Sequence, residues 1–303
     1  MSGGQGATKA AMHLLVTGAN GQLGQCLADR LKAQGISHTL LSRGDADIND
    51  TVVLEKIIAD KEVTAIINAA AYTAVDKAES EPELAQRVNV DGAAALAKLS
   101  ARFDIPLLHV STDYVFDGNK QTPYVEVDSI GPTGVYGQTK LDGELAIQRH
   151  ASKYIIMRTA WVFSEYGNNF LKTMLRLARE RDTLGVVADQ VGCPTYAGDI
   201  AVALITVADQ MHNGEARSGI YHYAGDEAVS WHGFAMEIFE QAHQLGRLAN
   251  IPSVNAIATE AYPTPAKRPA YSVLSSDKIV ADYGVVASDW RLAITAVIAK
   301  MTE

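Results

Sequence analysis

Cysteine is scarce: the 303 residues hold only Cys26 and Cys193. They form no CxxC pair, which excludes a disulfide framework or a Cys-based zinc site and fits a reduced, cytoplasmic setting. No apolar run reaches the roughly 18–20 residues of a membrane span, so no membrane partner is expected. The opening Met1-Ser2-Gly3-Gly4-Gln5-Gly6 lacks the apolar centre of a signal peptide. Residues 1–11 are expected to be an appended leader, with the native start at Met12. Basic charge is in deficit, with 26 Lys and Arg against 35 Asp and Glu and a net charge of −9. A duplex nucleic-acid partner is therefore not expected, although a local basic pocket for one phosphate group fits this balance. Repeats and low-complexity tracts are absent too. What is present is 48% hydrophobic and 20% charged residues, the composition of a folded chain. The length suits one large domain or two smaller ones.

Short apolar runs recur at His13–Thr17, Thr39–Leu41, Thr64–Asn68, Leu107–Val110 and Tyr154–Met157. Between them lie helical patterns, with Leu23, Leu27 and Leu31 four apart, then Glu83 to Phe103 and Gln138 to Arg149. Buried four- to five-residue strands alternating with helices predict an α/β fold, a doubly wound parallel sheet of Rossmann-like type. Beyond residue 165 the pattern is less regular. Helices are expected at Phe170–Arg181, Asp199–Ala208 and Ser230–Leu245, and strands at Val186–Val187 and Ile220–Tyr223. The proline-rich stretch from Tyr262 to Pro269 reads as a loop. The division expected is a dinucleotide-binding domain over 12–165 and a smaller, mixed α/β substrate lobe over 166–303, with some segments returning to the first domain.

The first strand runs into Gly18-Ala19-Asn20-Gly21-Gln22-Leu23-Gly24. Glycines at a strand-to-helix turn let backbone approach a ligand, and the helix N-terminus offers free N–H groups to a pyrophosphate. Gly18, Gly21, Gln22, Leu23 and Gly24 are thus candidate cofactor contacts, and a turn needing glycine only for packing is the alternative. The second strand ends at Ser42 and Arg43, where an acid would favour the 2′-hydroxyl of NADH. A serine and a cation instead leave room and charge for a 2′-phosphate, so NADPH is expected to serve at least as well as NADH. A solvated arginine is the alternative for Arg43. Asp47 and Ile48 can flank the adenine, or Asp47 can cap a helix. Ala69, Ala70 and Ala71 are small enough for a cofactor to lie over the strand end, or for close helix–sheet packing.

Tyr136-Gly137-Gln138-Thr139-Lys140 sets a phenol and an ammonium one helical turn apart. A lysine cation nearby favours phenolate and lowers the tyrosine pKa, and it can also hold ribose hydroxyls. Ser111-Thr112-Asp113 follows a predicted strand directly, at the sheet end where such folds bind ligands. A hydroxyl there can hold an oxygen that gains negative charge as hydride arrives. A Ser/Thr turn capped by Asp113 is the alternative.

Together the glycine turn, Asn68-Ala69-Ala70-Ala71, Ser111-Thr112-Asp113 and Tyr136-x-x-x-Lys140 resemble the extended short-chain dehydrogenase/reductase superfamily. Several longer stretches resemble one family within it, the dTDP-4-dehydrorhamnose reductases. These are 70–79, 111–116, 135–140, 158–163, 167–170, 189–195 and 264–269, so the likeness runs from about Met12 to the end of the chain. The resemblance implies that NAD(P)H reduces the C4 ketone of dTDP-4-dehydro-6-deoxy-L-mannose to dTDP-L-rhamnose, a nucleotide sugar of cell-surface polysaccharide such as lipopolysaccharide. It implies that Tyr136 protonates the alkoxide, Lys140 tunes Tyr136 and binds the nicotinamide ribose, and Thr112 steadies the oxygen. It places Thr112, Asp113 and Trp161 against the sugar, with core filling the alternative for Trp161. It sets Asn169 and Arg268 at the nucleotide end, where a solvated loop cation is the alternative for Arg268. Some members use Mg²⁺ at a dimer contact; no carboxylate set here is assigned to Mg²⁺, and a homodimer stands only as an implication of the family. Two departures are Ser42, where several relatives carry an acid, and Ala160, where some carry serine.

Rivals share the fold. A 4,6-dehydratase of this superfamily carries a second acid after the Thr-Asp pair, where this chain has Tyr114. A nucleotide-sugar epimerase can use the same tyrosine and lysine. A cofactor-binding regulatory subunit would have no need of Thr112, Tyr136 and Lys140.

Overall fold

Six apolar runs pair side by side in a computed structural model that describes residues 11–214 and 217–301. Most of the expected leader lies outside the described residues. The strands are β1 (His13–Thr17), β2 (Ser37–Leu41), β3 (Ala65–Asn68), β4 (Leu107–Thr112), β5 (Tyr154–Thr159) and β6 (Gly219–His222). Their order in the sheet is β6-β5-β4-β3-β1-β2, and every pairing is parallel. The order reverses between β1 and β3, which opens a crevice at the carboxyl ends of those strands. β6 comes from beyond residue 165, so the sheet draws on both halves of the chain.

Side chains alternate along each strand, so one run feeds two cores. Leu14, Val16 and Ile67 face α1 (Gln22–Ala33) and the later helix Ala197–His212. Leu15, Ile66 and Ile156 face the helices Thr51–Asp60 and Gly92–Arg102. Burial of such a side chain contributes about 1.5–3 kcal/mol. A separate core in the second half gathers Phe163, Phe234, Trp290 and Ile294 around the helices Phe170–Glu180, Trp231–Gln244 and Trp290–Lys300. Both cysteines are buried free thiols, and burial pushes each to about 12.

Three local departures from the sequence reading bear on function. The helix expected from Glu83 to Phe103 contains a π-helical segment, Arg87–Asp91. That wider turn sets Asn89 inward, where its Oδ1 accepts from the Tyr72 N–H and its Nδ2 donates to Thr139 Oγ1. The helix expected from Gln138 begins instead at Val135, whose N–H donates to Glu79 Oε1. Tyr136 therefore sits in a first helical turn. The cap before helix Thr51–Asp60 is Asp50, not Asp47: its side chain accepts from the Val53 N–H.

Candidate active site

The glycine turn closes the carboxyl end of β1. Gly18 has φ +75°, and a Cβ there would stand 2.6 Å from the Ala69 backbone, so only glycine lets the ends of β1 and β3 come so close. A Cβ on Gly24 would stand 2.2 Å from the Gly18 carbonyl, which seats α1 on the turn. Gly21 caps α1 without a side-chain acceptor, so the first N–H groups of Gln22, Leu23 and Gly24 have no capping side chain.

From this turn one groove runs towards β2 and another towards β4. The first, of ≈ 370 Å³, is lined by Gly18, Leu41, Ser42, Arg43, Asp47, Ile48, Ala69, Ala70 and Ala71, and also by Arg87. Ser42 is committed: its N–H and its hydroxyl both donate to Asp45 Oδ2, at 2.8 and 2.5 Å. Arg43 is exposed, and Asp47 pairs with Arg87 at 2.5 Å. The Asn49 N–H, with Arg87 beside it, holds the Asp47 carboxyl below the usual carboxylate range. Arg87 carried no sequence signal, because it lies in no motif and faces the groove only through the π segment.

The second groove, of ≈ 450 Å³, is lined by Gly21, Gln22, Ala71, Thr112, Asp113, Tyr136, Lys140 and Trp161. Here the separated motifs meet. The Tyr136 hydroxyl faces that of Thr112 across the groove, and the Tyr136 ring meets Tyr114 edge-on at 5.4 Å. Burial pushes the Tyr136 phenol above its ordinary value; Thr112 opposes that rise, and the Asp113 charge adds to it. Lys140 does not pull it down, contrary to the sequence expectation. The reason is geometric: Lys140 Nζ turns inward to donate to the Val110 carbonyl at 2.7 Å. Burial itself lowers Lys140 to about 8, with Glu144 opposing. Tyr136 is thereby kept as an acid.

Asp113 is 3% exposed, and burial raises its carboxyl to about 6 although the Thr112 hydroxyl donates to it at 2.9 Å. Since the folded value lies above the unfolded one of about 3.9, the fold is penalised as pH rises from about 4 to 6 and fully above that. Asp113→Asn is therefore expected to stabilise the free protein by on the order of 2 kcal/mol at pH 8 and to have no such effect at pH 4. Denaturant melts at the two pH values check this, and an equal effect at both would assign the change to packing.

Trp161 has φ +48°, an unusual conformation for a non-glycine residue, held by stacking on Trp231 at 3.4 Å between ring centroids. It both fills core and lines the groove. Asn169 and Arg268 do not line it. Asn169 caps helix Phe170–Glu180 and donates to Gln22 Oε1 and the Ser164 carbonyl, so its polar atoms are engaged, while Gly167 and Asn168 reach the groove instead. Arg268 donates to Asp76 Oδ2 at 2.8 Å beside the Tyr114 hydroxyl. Ser111 also lines the groove, but its hydroxyl is engaged, donating to Glu144 at 2.5 Å.

Among the described residues no group of three or more His, Cys, Asp or Glu is arranged to hold a metal ion, and no helix is long and apolar enough to cross a membrane. The two grooves share Asn20, Gly21, Ala69 and Ala71. Their donors, free helical N–H groups in the middle, cations at one end and hydroxyls with an amine at the other, suit a dinucleotide.

Residues 12–303 match the family described as RmlD substrate binding domain. A dTDP-4-dehydrorhamnose reductase of Aggregatibacter actinomycetemcomitans is 50% identical over 284 residues, 93% of this chain and 97% of the relative. The enzyme of the same name from Escherichia coli K12 is 39% identical over 93% of this chain and 96% of its own. Among solved structures, the dTDP-4-dehydrorhamnose reductase of Bacillus anthracis in complex with NADP superimposes with a TM-score of 0.87 at 33% identity, covering 96% of this chain and all of that one. A UDP-glucose 4-epimerase of Thermus thermophilus, at 20% identity and a TM-score of 0.79 over 95% of this chain and 98% of its own, shares the fold. With the glycine turn, the hydroxyl pair and these matches in agreement, the chain belongs to the dTDP-4-dehydrorhamnose reductase family.

Proposed function

We infer that the protein reduces the C4 ketone of dTDP-4-dehydro-6-deoxy-L-mannose to give dTDP-L-rhamnose, with NAD(P)H as reductant. The reading is carried by the meeting of the Thr112 and Tyr136 hydroxyls in a groove continuous with the glycine turn. The reading requires one ketone oxygen to touch both hydroxyls.

A bound NAD(P)H supplies the hydride. The N–H groups at the head of α1 hold its pyrophosphate, and Ala69, Ala70 and Ala71 keep the strand end low beneath it. Asp47 and Ile48 flank the adenine, and Lys140 holds the nicotinamide ribose. The Thr112 hydroxyl steadies the ketone oxygen as negative charge grows there. The Tyr136 O–H bond breaks and its proton passes to that oxygen, leaving an alcohol and a phenolate. Asp113 and Trp161 wall the sugar. Asn169 acts at one remove, by fixing the loop that carries Asn168.

The deciding assay follows NADPH consumption with the keto sugar nucleotide and identifies the product sugar. Stoichiometric oxidation with dTDP-L-rhamnose formed is the expected result. Interconversion of sugars without net oxidation would make the protein an epimerase, and a stable foreign partner with no oxidation a regulatory subunit.

Arg43 bears on cofactor choice. Arg43→Ala should raise KM for NADPH about fivefold, about 1 kcal/mol for one screened contact to the 2′-phosphate, and change that for NADH less than about twofold. Steady-state kinetics with both cofactors check this, and equal losses would remove Arg43 from phosphate recognition.

A further inference from the structure

One side chain beside the glycine turn holds the two halves of the chain together. Gln22 is the first residue of α1, and its Oε1 accepts from Ser164 Oγ and from Asn169 Nδ2, each at 2.9 Å. The surrounding partners settle which end of each amide is oxygen. Asn169 Nδ2 also donates to the Ser164 carbonyl at 2.7 Å, and Asn169 Oδ1 accepts from the Lys172 N–H at 3.1 Å. The end of Asn169 that faces Gln22 is therefore the NH₂ group, and the Gln22 atom that meets it is the oxygen. Ser164 is fully buried. Gly167 folds over the same side chain: its φ is +59°, and a Cβ there would stand 3.1 Å from Gln22 Cγ.

Ser164 to Asn169 form the loop between the short strand Val162–Phe163 and the helix Phe170–Glu180. The loop brings Gly167 and Asn168, both exposed, to the wall of the second groove. Its other ties lead elsewhere or are open to water. Glu165 pairs with Lys300 at 2.7 Å and accepts from the Tyr196 hydroxyl, which anchors the loop to the last helix and so to the second core. The Tyr166 hydroxyl donates to Asp29 Oδ2 at 2.5 Å, two turns further along α1, but Asp29 is exposed and water competes for that bond. The Gln22 bonds are the shielded link between this loop and the head of the cofactor helix.

We propose that Gln22 is a positioning residue for the sugar nucleotide: its side-chain oxygen holds the loop Ser164 to Asn169 at a fixed height over the groove, while its backbone N–H serves the cofactor pyrophosphate. Ordering an exposed, glycine-bearing loop costs conformational entropy. Contacts that order it before the ligand arrives remove that cost from binding. Gln22 thereby sets the spacing between the cofactor seat and the wall of the sugar end, and its side chain acts on substrate affinity.

The inference rests on the reductase reading for its consequence in KM but not for its geometry, so the test has two arms. Gln22→Met keeps the reach of the side chain and the backbone N–H and removes the acceptor. Its KM for the keto sugar nucleotide should rise about tenfold, as two neutral hydrogen bonds are lost, while that for NADPH stays within about twofold. Gln22→Glu keeps an acceptor for both donors and adds a negative charge at the head of α1. Its pattern should be the reverse: a sugar KM within about twofold of wild type and an NADPH KM raised about fivefold. Parallel rises of both constants in either variant, or an unmoved sugar KM in Gln22→Met, overturn the proposal. The second arm is hydrogen exchange on the ligand-free full chain, followed by NMR at the Lys172 N–H that Asn169 caps. Exchange there should be about tenfold faster in Gln22→Met and within about twofold of wild type in Gln22→Glu. Equal exchange in Gln22→Met and wild type overturns the proposal whatever the activity. Should Gln22→Met not fold, Ser164→Ala removes one of the two donors; the sugar KM and the Lys172 exchange should then each rise about threefold, and unmoved values overturn the proposal. If the wild type reduces no keto sugar, the reductase reading fails, while the exchange arm still decides the role of Gln22.

Discussion

Tyr136→Phe is expected to lower turnover of the keto sugar by about 10²–10⁴-fold while NADPH binds within about twofold of wild type, the loss typical of removing a positioned proton donor. The variant keeps the ring, and with it the edge contact to Tyr114. It removes only the hydroxyl that meets Thr112. Burial raises the phenol, so over the physiological range the residue stands ready as an acid; a reductase needs the proton on tyrosine before hydride arrives. The loss should therefore appear in kcat rather than in cofactor affinity. Steady-state rates and a fluorescence titration with NADPH separate the two, and a near wild-type rate would show that another group delivers the proton.

Glu144→Ala should destabilise the fold by about 3–5 kcal/mol, because it strands a buried guanidinium. Glu144 is fully buried and Arg158 is 2% exposed. The carboxylate accepts from Arg158 Nε at 3.0 and 3.2 Å, from Nη2 at 2.6 Å and from the Ser111 hydroxyl at 2.5 Å. This cluster ties β4, β5 and the helix of Tyr136 and Lys140 together directly behind the reacting centre; Ser111 and Arg158 are register partners across the two strands. The effect should read as a fall in Tm on the order of 10 °C, with a matching shift in the denaturant midpoint. Replacing both Glu144 and Arg158 by Met should cost less than Glu144→Ala alone, since no unpaired charge remains. Should Glu144→Ala melt with wild type, the cluster contributes nothing net to stability.

All six sheet strands could be read in the sequence as short apolar runs, because a parallel strand covered on both faces is apolar throughout. The glycine turn and the Tyr136–Lys140 spacing could be read for a similar reason: each is a local pattern whose chemistry depends on neighbours along the chain. The apolar run that forms β6 was visible too, but its place beside β5 was not, since strand order depends on crossovers and not on composition. The hold of Asn169 on Gln22 was not legible either, because it bridges residues 147 apart.

Sequence alone determined the fold class, the glycine turn and which side chains are candidates for the reacting groups. The proton that each group carries was decided only in three dimensions. Tyr136 moves up and Lys140 down because burial removes water from both, and burial belongs to packing. The direction of the Lys140 amine depends on the Val110 carbonyl, 30 positions earlier along the chain. An ion pair such as Arg158 with Glu144 leaves no periodic trace, because its members come from separate elements that meet only when the sheet and its helices close.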